Sequence, residues 1–386
     1  MARTVLSAAD TERLLHALTD RANRTGRRFA RFARRAARPD ARRHVVDLLR
    51  HVAEPDQDLV TRFMARGEPI RLLAIGFPYK QYDNGLKAAG PRPDLAEVRT
   101  LLRFRALRNV VCAFYPPGIR VTILSDGGYY CSRPRADLEA YRSELALLLD
   151  RVGVAGFVEV RPLADVLRLA VGPDTWRRRE TVIGTFLADV RAAAGPARDG
   201  GSGRAVAARM SRRHLDQPGL PGFDAVLESF LDSVPVPGGD VAWTSAVLRS
   251  VRELNVGRPL RDARLAVLER AWLDATQYLA TATVDERLGI LARLPDHLRL
   301  VAGPRPGEHD TETHAGTPAW GGTGYVDDHG RVGVAPYEWT LRQGSVPIYS
   351  ELSGEEQPWF MLHPALASSR SGPLGDLLAR ITATTL

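Results

Sequence analysis

The sequence predicts an α/β protein: a Rossmann-like, mostly parallel sheet with a helical N-terminal lead, a helical insertion and a β-rich C-terminal tail. Three observations predict it. Two short apolar runs, Leu72–Ile75 and Val121–Leu124, have the character of strands buried on both faces. Each stops at a polar loop containing glycine, Gly76-Phe77-Pro78-Tyr79-Lys80 after the first and Ser125-Asp126-Gly127 after the second. Beyond them strand and helix patterns alternate, the order that builds parallel sheets.

The elements follow in order. Ser7 or Asp10 caps a helix over residues 7–22, with Leu14, Leu15 and Leu18 on one face. Phe29, Phe32 and Ala33 suggest a second helix. Pro39-Asp40 starts a third, and residues 58–66 make a short fourth. After the strand at Leu72–Ile75, Asp94-Leu95-Ala96-Glu97 opens a helix running to about Arg108. Val110–Phe114 reads as a second strand region and leads to Tyr115-Pro116-Pro117-Gly118, and Arg120–Leu124 reads as a third. Gly128–Cys131 suggests another short strand. Asp137 caps a helix with Leu138, Tyr141, Leu145 and Leu148 on its apolar side; Phe157–Val160 is a strand and Ala164–Leu169 a short helix. Residues 176–194 and three segments, Phe223–Leu231, Trp243–Leu254 and Leu260–Leu279, read as helices. Leu298–Val301, Gly330–Val334, Ser345–Tyr349 and Pro358–Met361 read as short strands that return to the sheet. The expected division is 1–68 (lead), 69–173 (α/β core), 174–297 (helical region) and 298–386 (β-rich tail).

Composition bounds the function. A chain of 386 residues can bury a large core in one or two domains. No apolar run reaches the roughly 18 residues of a membrane span, and Met1-Ala2-Arg3-Thr4 lacks an apolar signal core, so a cytoplasmic location is expected. Two cysteines, Cys112 and Cys131, make no disulfide framework and no metal-ligand spacing. His309, His314 and His329 match no standard metal pattern either, so no metal is expected. With no Gly-x-Gly-x-x-Gly between a strand and a helix, no NAD is expected. The formal charge of +8 has a local source in the arginines of residues 21–50. They suit a solvated helical face, or attraction for an anionic partner.

Open α/β sheets place ligands beyond the carboxyl ends of their strands. Lys80 and the Ser125-Asp126-Gly127 turn therefore fall at one candidate sheet edge, although Ser-Asp-Gly also reads as an ordinary turn. Lysine usage separates this edge from the rest. Of 53 basic residues only Lys80 and Lys87 are lysine. Arginine substitutes where surface charge suffices, but not where a compact, titratable amine is required.

These motifs carry a resemblance. Gly76-Phe77-Pro78-Tyr79-Lys80, Asn84, Lys87, Gly90, Pro93-Asp94-Leu95-Ala96-Glu97, Tyr115-Pro116-Pro117-Gly118 and Ser125-Asp126-Gly127, in that order, resemble the isocyanide (isonitrile) synthase family, also called the pyoverdine/dityrosine biosynthesis family. The likeness is good over about residues 70–165. Further on, Gly222-Phe223 resembles a Gly-Phe pair of the family. The resemblance implies an enzyme of specialised metabolism that converts the amine of an amino acid, tyrosine or tryptophan, to an isocyanide. Ribulose 5-phosphate would be the carbon donor, no cofactor would be needed, and an oxygenase or synthetase would act downstream. The strand ends predict where that chemistry sits: Lys80 and Asp126 face one another across a cleft and transfer protons, Lys80, Lys87, Arg120 and Arg299 gather as cations for phosphate, and Gly76, Phe77, Tyr79, Asn84, Tyr115, Ser125 and Gly127 lie around the substrates. Tyr79, Tyr82, Tyr115, Tyr129 and Tyr130 would wall an aromatic pocket. Two family histidines are replaced here, by Gly303 and Phe360. That leaves open an altered amine–carbonyl chemistry such as N-formylation of an amino acid. A basic scaffold or nucleic-acid-binding protein is the reading outside catalysis.

Overall fold

A computed structural model of the chain describes residues 3–36, 54–75, 88–125, 135–194, 288–294, 296–301, 322–354 and 356–368, together with isolated positions that include Lys80, Tyr129, Thr281 and Asp285. The chain forms two compact units, one from residues 1–126, 135–162 and 296–386, the other from 127–134 and 163–295.

The first unit is α/β. Its parallel sheet has β2 (Ile70–Ile75) at the centre, β3 (Ile119–Ser125) and β4 (Val158–Pro162) on one side, and β5 (Leu298–Val301) and β6 (His309–Asp310) on the other. Every pairing in it is parallel, with Leu72 level with Val121 and Leu298. Ile70, Leu72 and Ala74 of β2 are buried, as the continuous apolar run predicts for a central parallel strand. The chain moves outward from β2 to β4 and then returns to the other side of β2. The order therefore reverses between β2 and β5, where open α/β sheets leave a crevice at the strands' carboxyl ends.

Of the described tail strands, only β5 and β6 join this sheet. β1 (Thr4–Leu6), β7 (Thr323–Val326), β8 (Val332–Ala335), β9 (Val346–Ser350) and β10 (Phe360–Leu362) form a second sheet, ordered β1-β9-β10-β7-β8. It is mixed: β1 with β9 and β7 with β10 are parallel, whereas β9 with β10 and β7 with β8 are antiparallel. The expectation that all tail strands return to the first sheet is thus corrected. Local pattern identifies a strand, but the choice of partner sheet depends on distant residues.

Helices α1 (Ala8–Ala36) and α2 (Glu54–Arg66) form the lead. The two helices expected over residues 7–33 are one, because no proline interrupts them before Pro39. Leu14, Leu15, Leu18 and Ala22 are buried while Arg24, Arg27, Arg28 and Arg31 are exposed, so this part of the arginine run is a solvated face. The expected third helix lies mostly outside the described residues.

Helix α3 (Leu95–Cys112) touches β3 of the parallel sheet and β7 and β8 of the mixed one, and α1 packs along it. Buried residues therefore surround it, among them Leu95, Val98, Leu101, Leu102, Phe104 and Val111. Each fully buried leucine here is worth about 2 kcal/mol in apolar area removed from water. This helix also corrects the expected strand at Val110–Phe114. Val110 and Val111 favour a strand locally, but packing on both sides carries the helix through them, a tertiary override of propensity. Helix α4 (Arg135–Arg151) packs on β4.

The described part of the second unit contains α5 (Leu163–Val171) and α6 (Pro173–Ala194), close to their expected bounds. Tyr129 is helical, not extended as expected for 128–131. The three helices expected between residues 223 and 279 lie outside the described residues.

Candidate functional site

The candidate site grows from the start of α3. Asp94 has extended backbone and caps the helix: its Oδ1 accepts from the Ala96 N–H at 2.7 Å, and Glu97 Oε2 accepts from the Asp94 N–H at 2.8 Å. This reciprocal capping box satisfies helix N–H groups that would otherwise be orphaned, and it places two carboxylates where the helix dipole favours negative charge. The Asp94-x-x-Glu97 spacing is the sequence signature of that box.

Lys80 meets both carboxylates. Its Nζ lies 3.1 Å from Asp94 Oδ1, 2.9 Å from Glu97 Oε2 and 2.8 Å from the Gly322 carbonyl oxygen. Three N–H groups find three acceptors. The lysine is 0% exposed. Gly324 lets β7 approach: a Cβ there would lie 2.7 Å from Leu95 Cβ, and its own N–H donates to Asp94 Oδ1 at 3.1 Å. On the other side the Tyr141 hydroxyl, from α4, donates to Glu97 Oε1 at 3.0 Å. Burial pushes the Glu97 carboxyl up to about 7 against the pull of Lys80, with Asp94 adding to the rise. Burial likewise raises Asp94, opposed by Lys80. Tyr141 is held well above the ordinary phenol range by burial and by the Glu97 charge. Lys80, Asp94, Glu97 and Tyr141 are one buried ionic network that joins α3, α4 and β7.

The other expected site residues fall into three groups. Ser125 is the buried last residue of β3, at the carboxyl edge as expected. Gly76, Phe77, Tyr79, Tyr82, Asn84, Lys87, Asp126, Gly127, Tyr130 and Gly303 lie outside the described residues, so the expected Lys80–Asp126 pairing falls there too; the observed partners of Lys80 are Asp94 and Glu97. The third group is placed elsewhere. Arg120 is the second residue of β3, at the amino end of the sheet, exposed and 3.8 Å from Glu159. Arg299, the second residue of β5, is level with Leu73 in mid-sheet. The expectation that Arg120 joins Lys80 at the strand ends is therefore corrected: it begins a strand whose tip, not its start, is at that edge.

Tyr115 is also a packing residue. Its hydroxyl donates to the Glu68 carbonyl at 2.6 Å and reaches that of Phe63 at 3.2 Å. Gly118, at φ 68°, completes the turn that enters β3, a conformation open to glycine at little cost. In the second unit, Tyr129 donates to Asp285 Oδ2 at 2.6 Å, and Arg179, stacked over the Tyr129 and Trp176 rings, binds Asp285 Oδ1 at 2.6 Å. Both described tyrosines of the expected aromatic wall are thus held in buried contacts. Phe360, the first residue of β10, is 0% exposed and packs on Trp359 just before it. Sequence reasoning missed the joint role of Asp94, Glu97 and Tyr141. The capping box was visible, but Tyr141 looked like one more apolar helix position.

Residues 60–193 match the family described as Pyoverdine/dityrosine biosynthesis protein. The chain is 30% identical over 144 residues to an L-tyrosine isonitrile synthase of Pseudomonas aeruginosa, covering 36% of this chain and 43% of that protein. It is 33% identical over 108 residues to isocyanide synthase A of Aspergillus fumigatus, covering 27% and 18%. The match thus spans less than half the length of these curated relatives. The crystal structure of the PvcA protein of Pseudomonas aeruginosa shares the fold, with a TM-score of 0.50 at 20% identity over 83% of this chain and 93% of that one. No helix among the described residues is long and apolar enough to cross a membrane. The likeness to the pyoverdine/dityrosine biosynthesis family thus lies in residues 60–193 of the chain.

Proposed function

We propose that this protein is an enzyme that converts the amine of an aromatic amino acid, tyrosine or tryptophan, to an isocyanide, with ribulose 5-phosphate as the carbon donor. The observation that carries the reading is the match to this family of residues 60–193, the stretch that holds β2, α3 and β3, beside the likeness to an L-tyrosine isonitrile synthase. The strand order supports it, because the reversal beside β2 leaves a crevice at the carboxyl edge.

The chemistry needs a base to free the amine, an acid to expel water from the adduct, and a seat for phosphate. Asp126, one residue past β3, is the proton-transfer carboxylate in this reading. Gly76, Phe77 and Tyr79 border the amino acid, and Asn84, Lys87, Ser125 and Gly127 hold the sugar phosphate. Lys80, engaged by Asp94, Glu97 and the Gly322 carbonyl, is a structural cation in this reading and not the proton-transfer group. The experiment is incubation of the purified protein with tyrosine or tryptophan and ribulose 5-phosphate, followed by mass spectrometry. An isocyanide gains one carbon and loses two hydrogens relative to the amine. No product with any amino acid would sink the proposal.

A second reading, N-formylation, is favoured by Phe360. The position where the resemblance leads one to expect a histidine is an apolar core position here, and no proton transfer can come from it. A formamide retains an oxygen that the isocyanide lacks, so the same spectrum separates the two.

A further inference from the structure

We infer that the outer flank of α4 is an interface between two copies of this chain. The copies pack antiparallel, so that Leu147 of each seats in a cleft of the other and Glu144 of each meets Arg151 of the other.

The cleft lies wholly in the first unit, between α1, α4 and the turn Glu351–Ser353. Leu15, Leu148 and Trp359 line it and are buried, whereas Leu147, at the same cleft, is 55% exposed. The cavity volume is about 50 Å³. An apolar cavity that takes benzene measures about 150 Å³. This one suits the end of an aliphatic side chain better than a ring.

Charge selects the occupant. Glu144 Oε1 lies 3.2 Å from Arg92 Nη1, and Arg151 Nε lies 3.4 Å from Glu12 Oε1. The side chains of Glu144 and Arg151 stay 28% and 31% exposed, so each can take a second partner. Two cations and two anions thus flank the cleft, and it is locally neutral although the chain carries +8. Local neutrality lets a second copy of this basic chain approach. An acidic partner would be drawn instead to the exposed arginines of α1.

Spacing fixes the arrangement. Glu144 and Arg151 are two turns apart on one side of α4, about 10.5 Å along its axis. Their midpoint falls between Leu147 and Leu148. Two copies of α4 laid antiparallel about a two-fold axis at that midpoint place each Glu144 opposite the other copy's Arg151. They also bring each Leu147 to the other copy's cleft. The contact is isologous, with a knob and a hole on both sides. Ala140, Ser143 and Ala146 are exposed on the same helix, and their short side chains let the two backbones approach.

The test is analytical ultracentrifugation of the full chain over a concentration series. The wild type passes from the mass of one chain to that of two. Leu147→Arg, at an exposed position, leaves the fold intact and weakens association about 30-fold or more, the scale of an interface hot spot. Glu144→Arg and Arg151→Glu each set like charges against one another and weaken it about tenfold or more. Mixed in equal amounts, these two variants associate again, because one offers two cations and the other two anions. Mixing cannot rescue a variant that is merely misfolded. A wild type that stays monomeric at every concentration leaves the cleft to another occupant and overturns the inference. So does a dimer that Leu147→Arg leaves intact, or a pair of charge variants that stays apart when mixed.

Discussion

Replacing Lys80 by methionine keeps the length and apolar stem of the side chain and deletes only the ammonium. Asp94 and Glu97, both fully buried, are then left without their cation. Removing one partner of a buried ionic cluster costs about 3–5 kcal/mol, because the remaining charges stay desolvated. That is the expected loss at pH 7 and above. The pH dependence follows from Glu97. Its folded value of about 7 lies above the ordinary 4.5, so the folded chain holds this proton more tightly than the unfolded one. The stability it contributes is fully present below pH 4.5 and is lost as pH rises through 7. At about 1.4 kcal/mol per pH unit, the rise from 4.5 to about 7 corresponds to about 3 kcal/mol. Lys80 pulls both carboxyls down, so its removal sends them higher and lets them protonate sooner. The penalty of Lys80→Met is therefore small at pH 5 and grows towards pH 8. Urea unfolding followed by circular dichroism at four pH values measures it. A Lys80→Met protein within about 1 kcal/mol of the wild type at pH 8 would refute the account of this network.

Other predictions follow from the same geometry. Gly324→Ala puts a Cβ 2.7 Å from Leu95 Cβ and should cost about 1–3 kcal/mol by overpacking, read as a lower urea midpoint. Tyr115→Phe loses the bonds to the Glu68 and Phe63 carbonyls and should cost about 1–2 kcal/mol in the same assay, leaving KM for amino acid unchanged because the ring is core. Asp285→Ala leaves the Arg179 guanidinium buried without its carboxylate, at about 3–5 kcal/mol; faster hydrogen exchange in α6 would reveal it. Arg120→Ala should leave the KM for sugar phosphate unchanged, since the residue is exposed at the amino end of β3.

Strand and helix identities were largely legible in the sequence because they rest on local pattern. Leu72–Ile75, Leu298–Val301 and Asp94-x-x-Glu97 each state their element within a few residues. The singular lysines pointed to Lys80 for a physical reason that survives: a compact ammonium fits three acceptors where a planar guanidinium does not. What they could not tell was the direction in which that ammonium faces.

By itself the sequence determined an α/β protein, the cap of α3 and the set of motifs gathered between residues 76 and 127. These depend on neighbours a few positions apart. Only the tertiary structure decided that the tail strands β7 to β10 build a second sheet with β1, that Val110 and Val111 stay helical between two layers, and that Arg120 lies at the wrong end of its strand for phosphate. It alone brought Tyr141 to Glu97 and Gly322 to Lys80, contacts between residues 44 and 242 positions apart. Burial and partner choice are set by what packs against a residue from far along the chain, and no local pattern encodes them.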